Sequence, residues 1–270
     1  MGRYNLHTHT YRCRHASGDI PELIEVAKEN GYTTLGISEH TVLSDEKWPD
    51  MRLGKDDVDE YFSCIEKNRL KEEAKFDGIK LLAGLECEPL EEYFSFYKEI
   101  KDKYKVDFLL MANHFFLYEG RYITAFDDRF DIQRKIKVYA EHIIKGMESG
   151  LFYYLAHPDI FMTTKERWDS YSESVMKDLM QAAKQYNMPM EINLNGFKKG
   201  KVRRGLNLRY MYPFEEFWEL AAKEGIDVVI GVDAHTPRIF AQDFPDCNAM
   251  LEKYDFNLLT EEDILARIDV

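Results

Sequence analysis

Seven of the chain's eight histidines, together with Glu86 and Asp233, stand at or just past the ends of short apolar runs. In order they are His7, His9, His15, His40, Glu86, His114, His157, Asp233 and His235. Imidazole and carboxylate in this mixture suit borderline divalent metals such as zinc, manganese or iron, whereas calcium and magnesium sites are built almost wholly from oxygens. At about four to five ligands per ion, these nine residues, with one carboxylate bridging, match two or three metals. The His7-x-His9 pair is a weak signal by itself. Joined to Ser38-Glu39-His40, Asn113-His114, Ala156-His157-Pro158 and Asp233-Ala234-His235, it becomes a strong one. His142 lies mid-helix and is read as structural. Glu39, Cys87, Glu88 and Asp159 adjoin the candidate ligands, but alternation along a strand turns neighbours to opposite faces, which places them behind the ligands at most. Asp19 and Asp45 are expected to cap helices or stay solvated.

Residues two hundred positions apart share a site only if the fold gathers them. Period-two and continuous apolar runs predict strands at Tyr4–Leu6, Thr33–Ile37, Lys80–Leu85, Val106–Ala112, Phe152–Ala156, Met190–Leu194 and Ile226–Val232. Helical periodicity predicts helices at Ile20–Asn30, Asp57–Phe76, Leu90–Tyr104, Ile132–Ser149, Ser172–Tyr186 and Phe214–Lys223. Strict alternation implies parallel strands joined by helical crossovers, closing into a barrel in preference to an open sheet. In such a barrel the carboxyl ends of all strands face one mouth, which is where the candidate ligands fall. No repeat, low-complexity tract or proline-rich linker marks a boundary, so residues 1–270 are expected to form a single catalytic domain. One stretch departs in composition: Phe197–Arg209 carries Lys198, Lys199, Lys201, Arg203, Arg204 and Arg209, and is expected to be a long loop after the sixth strand.

The net charge of −13 disfavours a nucleic-acid partner, because the overall field repels a polyphosphate backbone. A small anion is compatible with that charge where bound metal cancels it locally. No run of eighteen apolar residues and no signal-peptide core occur, so no membrane partner and a cytoplasmic location are expected. Cys13, Cys64, Cys87 and Cys247 are widely spaced without a CxxC pair and are read as free thiols. Oligomeric state is not encoded in any of these features.

Taken in order, His7-Thr8-His9, Glu39-His40, Glu86, His114, His157 and Asp233-Ala234-His235 resemble the motifs of the polymerase-and-histidinol-phosphatase (PHP) family. The opening His7-Thr8-His9-Thr10 with Tyr11-Arg12-Cys13-Arg14-His15-Ala16 resembles its histidinol-phosphatase branch. The resemblance implies a distorted, TIM-like (β/α)7 barrel with a trinuclear site at the carboxyl ends of its strands. It further implies that His7, His9, Glu86 and Asp233 hold one metal, that Glu86 bridges to a second held by His114 and His157, and that His15, His40 and His235 hold the third. The activity implied is metal-dependent hydrolysis of L-histidinol phosphate to L-histidinol and phosphate, a step of histidine biosynthesis.

A phosphate monoester dianion hydrolyses extremely slowly in water, so its catalyst must neutralise the phosphoryl oxygens and supply a nucleophile near neutral pH. A metal cluster would meet both needs: a hydroxide bridging the metals that share Glu86, its pKa lowered by them, would attack phosphorus in line while the cluster clamps the remaining oxygens. Asp233 or a metal-bound water supplies the leaving group's proton; the residues leave that choice open. Arg203 and Arg204 are the first candidates for binding the phosphate bidentately. Glu88, Tyr118 and Glu119 are weaker candidates for the rest of the substrate. Two alternatives stand beside this reading: another phosphoesterase of the family, acting on phosphotyrosine proteins, nucleotides or nucleic acid, and a noncatalytic metal-binding module.

Overall fold

The computed structural model describes residues 3–268. In chain order its elements are β1 (Arg3–Asn5), α1 (Ile20–Glu29), β2 (Tyr32–His40), α2 (Val58–Glu73), β3 (Lys80–Cys87), α3 (Phe94–Tyr104) and β4 (Phe108–Met111). A hairpin of β5 (Phe115–Tyr118) and β6 (Arg121–Thr124) follows, then α4 (Ile132–Glu148), α5 (Ser170–Gln185) and β7 (Met190–Asn193). Next come α6 (Leu194–Lys198) and a second hairpin of β8 (Lys201–Arg204) and β9 (Asn207–Tyr210). The chain closes with α7 (Glu215–Lys223), β10 (Asp227–Gly231), α8 (Pro245–Lys253), β11 (Asn257–Leu258) and α9 (Glu261–Arg267).

The helices start where their sequences supply an acceptor. Asp19, Asp131 and Asp169 each accept a bond from a first-turn amide of α1, α4 and α5, and Thr260 with Asp263 makes a reciprocal capping box on α9. Each helix then buries one apolar stripe, such as Ile20, Leu23, Ile24 and Ala27 of α1.

The strands pair in parallel in the order β1, β2, β3, β4. Single bridges at Met111–Leu155 and Leu155–Met190 carry the pairing across to β7, which pairs with β10. A bridge between Thr8 and Ala234 returns the chain beyond β10 to the side of β1. The outcome is a mixed α/β fold whose parallel sheet is curled on itself. Phe152–Ala156, expected as a full strand, bonds to Leu109, Met111 and Pro189 but keeps regular pairing only at Leu155.

Alternation along the strands separates two cores. Leu81, Ala83, Leu85, Leu109, Met111, Met190 and Ile192 pack outward in the large cluster under the helices. Leu6, Leu82, Phe108, Leu110, Tyr154, Ala156 and Val229 pack inward, with Ile264 and Ile268 joining them beside α9. Gly84 lies under the Phe108 ring, where a Cβ would sit 2.2 Å from it, so this inner position must be glycine for the ring to fill the centre. The next inward residue on β3 is Glu86. The inner apolar plug thus ends where the polar site begins.

Candidate metal centre

Glu86 sits at the middle of the cluster, 1 % exposed, with five imidazoles around its carboxylate. His157 Nε2 and His7 Nε2 lie 3.0 and 3.2 Å from Oε1, and His114 Nε2 lies 3.7 Å from it. His40 Nδ1 and His9 Nε2 lie 2.8 and 3.5 Å from Oε2. Asp233 Oδ1 stands 3.3 Å from His9 Nε2, 3.6 Å from His7 Nε2 and 3.1 Å from His235 Nδ1. The His15 ring completes the group, with centroids 5.2 Å from His40 and 4.9 Å from His235. All nine residues singled out in the sequence therefore converge at the carboxyl end of the curled sheet. His157 and Asp233 hold backbone φ of 30° and 49°, a left-handed conformation that side chains other than glycine adopt at a cost of order 1–3 kcal/mol.

Their polar atoms are poorly satisfied by one another. His7 Nε2, His9 Nε2, Glu86 Oε2 and Asp233 Oδ1 are buried with no hydrogen-bond partner among the described residues. Each such group costs about 1–3 kcal/mol when left unpaired. Within the cluster, His7, Glu86 and His157; His7, His9 and Asp233; and His9, His40 and His235 each offer ligand atoms within 4.8 Å of one another. Orphaned donors at that spacing, of nitrogen and carboxylate type, fit divalent transition metals.

The electrostatics point the same way. Burial opposes charge on Glu86 and Asp233, yet the surrounding imidazoles hold both carboxyls well below the usual range. Burial likewise opposes a charged His7 and His9, but Glu191, Asp233, Glu86 and Glu39 prevail, raising His7 well above its usual value and His9 to about 9. Desolvation wins at His15 and His40, both lowered. A site that keeps protons on buried imidazoles beside two buried carboxylates is one that accepts positive charge.

Three glutamates stand behind the ligands. Glu191 Oε1 is 2.8 Å from His7 Nδ1, and Glu191 also accepts from Tyr154, Asn193 and the His157 amide. Glu88 Oε1 is 3.1 Å from His114 Nδ1, and its carboxylate accepts from the amides of His114 and Phe115 and from Arg52. Glu39 Oε2 is 3.6 Å from His9 Nδ1 and its other oxygen accepts from Thr10. Glu191 and Glu88 each hold one ring nitrogen outward and leave the other facing the centre, while Glu39 stands behind His9 without a hydrogen bond to it. Glu191 was missed in the sequence. Its signal is a carboxylate in the second position of the buried run Met190-Glu191-Ile192-Asn193, whose apolar members face the helices. Gly231 on the neighbouring strand makes the room, since a Cβ there would collide with Glu191 at 1.6 Å.

The centre opens into a cavity of about 350 Å³. Its mouth is lined by Met51, Arg52, Phe115, Phe126, Ile160, Asn195, Lys199 and Tyr212. Arg203 and Arg204 are not among the lining residues. Both lie on β8, because Phe197–Arg209 is α6 plus a hairpin rather than a loop; Arg203 is exposed and Arg204 half-buried, away from the cavity. The cations that do reach the cavity are Arg52 and Lys199. Arg52 is paired with Glu88 at 2.6 Å, whereas Lys199 donates to Tyr212 and has no carboxylate within 4 Å among the described residues. Burial lowers the Lys199 ammonium and the Asp233 charge opposes that shift.

The remaining candidates fall elsewhere. Glu119 is exposed and bonded to Arg134, Tyr118 is buried, and His142 bonds the Leu117 carbonyl. Asp159 is buried against the amide of Phe214 and the indole of Trp218, and burial pushes it up to about 7. Asp19 caps α1 and pairs with Arg12. All four cysteines are free. Among the described residues no helix is long and apolar enough to cross a membrane.

A PHP-domain model matches residues 5–195. The chain belongs to the PHP family. Among its curated relatives is "Probable histidinol-phosphatase" of Schizosaccharomyces pombe, 23% identical over 280 residues, covering 92% of this chain and 85% of the relative. Among solved PHP structures, hisK of Listeria monocytogenes superposes with a TM-score of 0.72 at 18% identity, covering 90% of this chain and 99% of that one. Histidinol phosphate phosphatase of Lactococcus lactis, solved with Zn, L-histidinol and phosphate, superposes with a TM-score of 0.69 at 16% identity, covering 95% of each chain.

Proposed function

We propose that this PHP-family chain hydrolyses L-histidinol phosphate to L-histidinol and phosphate with two or three divalent transition metals. The observation that carries the reading is a Glu86-centred cluster of buried, unpaired nitrogen and carboxylate atoms at the floor of a small cavity. The curated relative's name and the zinc, histidinol and phosphate of the Lactococcus lactis structure support it. We assign His7, His9, His15, His40, Glu86, His114, His157, Asp233 and His235 as ligands, with Glu86 bridging. We also take residues 1–270 as one catalytic domain and the curled sheet as a distorted, TIM-like (β/α)7 barrel, counting Phe152–Ala156 as its fifth strand. The Thr8–Ala234 bridge supports that closure.

Bound ions supply a strong positive field at the phosphoryl oxygens and make water acidic enough to act as nucleophile near neutral pH. The chain's own groups do the rest. Asn193 and Asn195 donate to Asp233 Oδ2 at 3.2 and 3.1 Å, which leaves Oδ1 aimed at the centre. Asp233, whose carboxyl the surrounding imidazoles hold well below its usual range, would serve as a ligand, and Asp233 or a water on the metals would supply the proton for the leaving oxygen. Lys199 takes the place expected for Arg203 and Arg204, as the unpaired cation available to a phosphoryl oxygen. Depth and size favour a small monoester over a polymer.

Purified protein, with metal content measured in parallel, is assayed for phosphate release from L-histidinol phosphate, other monoesters and a phosphodiester. Preference for histidinol phosphate, abolished by chelation, is the expected result. Metal-dependent turnover without that preference moves the chain to another phosphoesterase of its family.

A further inference from the structure

The hairpin that follows β4 brings its root, not its tip, to the cavity. Phe115 directly follows His114, and Phe126 follows Ala125, whose amide donates to the His114 carbonyl at 2.8 Å. Both rings line the cavity, with Met51 and Ile160. Phe115 stacks on Trp48 with centroids 4.1 Å apart and planes at 16°, and the Arg52 guanidinium lies over both rings. Phe126 and Met51 are each 46 % exposed, an apolar pair held open at the rim of a polar site. Apolar surface left in contact with water is surface that a ligand gains by covering.

A buried lysine fixes this rim. Lys135, on the inner face of α4, is fully buried, and its ammonium donates to the carbonyls of Ala125 and Asp127 at 2.7 and 2.5 Å and to Thr164 Oγ1 at 3.1 Å. The two carbonyls flank Phe126 in the chain. Thr164 ends the turn that begins at Ile160, another wall residue. No carboxylate lies within 4 Å of the ammonium among the described residues, so its burial is offset by backbone and hydroxyl oxygens rather than by an ion pair.

We infer that Phe115, Phe126 and Met51 form the wall that receives the leaving group of the ester, and that Lys135 is the positioning residue that sets this wall by clamping the backbone on both sides of Phe126. The inference rests on the phosphomonoesterase reading. The metal floor takes the phosphate, a flat and weakly polar ring such as imidazole or phenyl lies against the wall, and a polyol gains little there.

The test compares kcat/KM for L-histidinol phosphate, phenyl phosphate and glycerol 2-phosphate on metal-loaded protein, with metal content followed for every variant. The wild type prefers both ring-bearing esters. Phe126→Ala lowers the ring-to-polyol ratio of kcat/KM tenfold or more, chiefly through KM, and Phe126→Leu restores part of it. Lys135→Met lowers the same ratio, and the double variant goes no lower than Phe126→Ala, because the lysine acts only through the ring it places. Thr164→Val, which removes one acceptor and keeps the lysine, replaces Lys135→Met if that variant does not fold. An unchanged ratio in Phe126→Ala, or an equal loss on all three esters, overturns the wall; additive losses in the double variant overturn the anchor. Wild-type preference for phenyl phosphate without turnover of histidinol phosphate sinks the proposed substrate and leaves the wall standing. Histidinol phosphate turnover with an unmoved ratio does the reverse.

Discussion

Two antiparallel hairpins rise from the carboxyl end of the curled sheet, β5–β6 after β4 and β8–β9 after β7 by way of α6. Their roots line one cavity with opposite chemistry. The first root offers Phe115 and Phe126; the second offers Lys199 and, on the returning chain, Tyr212. Their tips reach neither the cavity nor each other's chemistry: Glu119 bonds Arg134, and Leu206, two residues past Arg204, is 93 % exposed. At about 3.3 Å per extended residue, four residues carry a side chain on the order of 13 Å from its strand end. Position along the hairpin therefore decides access more than residue type does, and a guanidinium at the tip does less than an ammonium at the root.

Removing the floor should abolish the contrast altogether. Asp233→Asn or His9→Ala is expected to lower kcat about a thousandfold, the equivalent of several kcal/mol of metal-derived stabilisation. Circular dichroism should remain native, because the inner apolar plug below Glu86 is untouched. Near-normal turnover in either variant would discredit the ligand assignment.

A smaller effect tests what stands behind the floor. Glu191→Gln keeps the shape of the side chain but loses the carboxylate that holds His7 Nδ1. Loss of such an outer partner weakens metal affinity about 10–100-fold. Competition with a chromophoric chelator measures this directly, and unchanged affinity would reduce Glu191 to a packing role.

The contrast between ligands and outer partners also marks how far the sequence could be read. Histidines at strand ends were legible because imidazole beyond an apolar run is conspicuous and because parallel strands share one mouth. Six helices and most strands were legible from periodicity. Glu191 was not, since a carboxylate inside a four-residue strand breaks the apolar pattern without announcing a partner 184 residues away. The hairpins were not, because β8 and β9 are short, rich in Lys and Arg and at most half-buried, a composition that reads as a loop. Arg203 and Arg204 carry the charge and the forked geometry that suit a phosphate. Charge is visible in sequence, whereas the turn at Gly205, packed against Glu166, that keeps both arginines off the cavity is a matter of three dimensions.

Lys199 is the cation that the second root brings to the cavity. Lys199→Met should lower kcat/KM for a phosphomonoester about 10–100-fold, since a hydrogen bond to a charged group contributes about 1.5–3 kcal/mol. Lys199→Arg should recover part of that loss. If Lys199→Met matches the wild type, the metals alone bind the phosphate and the cationic root has no part in it.

The smallest expected effect lies at the tips. Arg203→Ala and Arg204→Ala should each leave kcat/KM within about twofold of wild type, because substitutions away from a site or core stay near ±0.5 kcal/mol. Glu119→Ala should behave the same way, since it forfeits only an exposed ion pair. Initial rates over a range of ester concentrations suffice, with Lys199→Met measured alongside as the root control. A tenfold rise in KM for either arginine variant would mean that the hairpin folds inward over bound substrate, and root and tip would no longer be distinct regions.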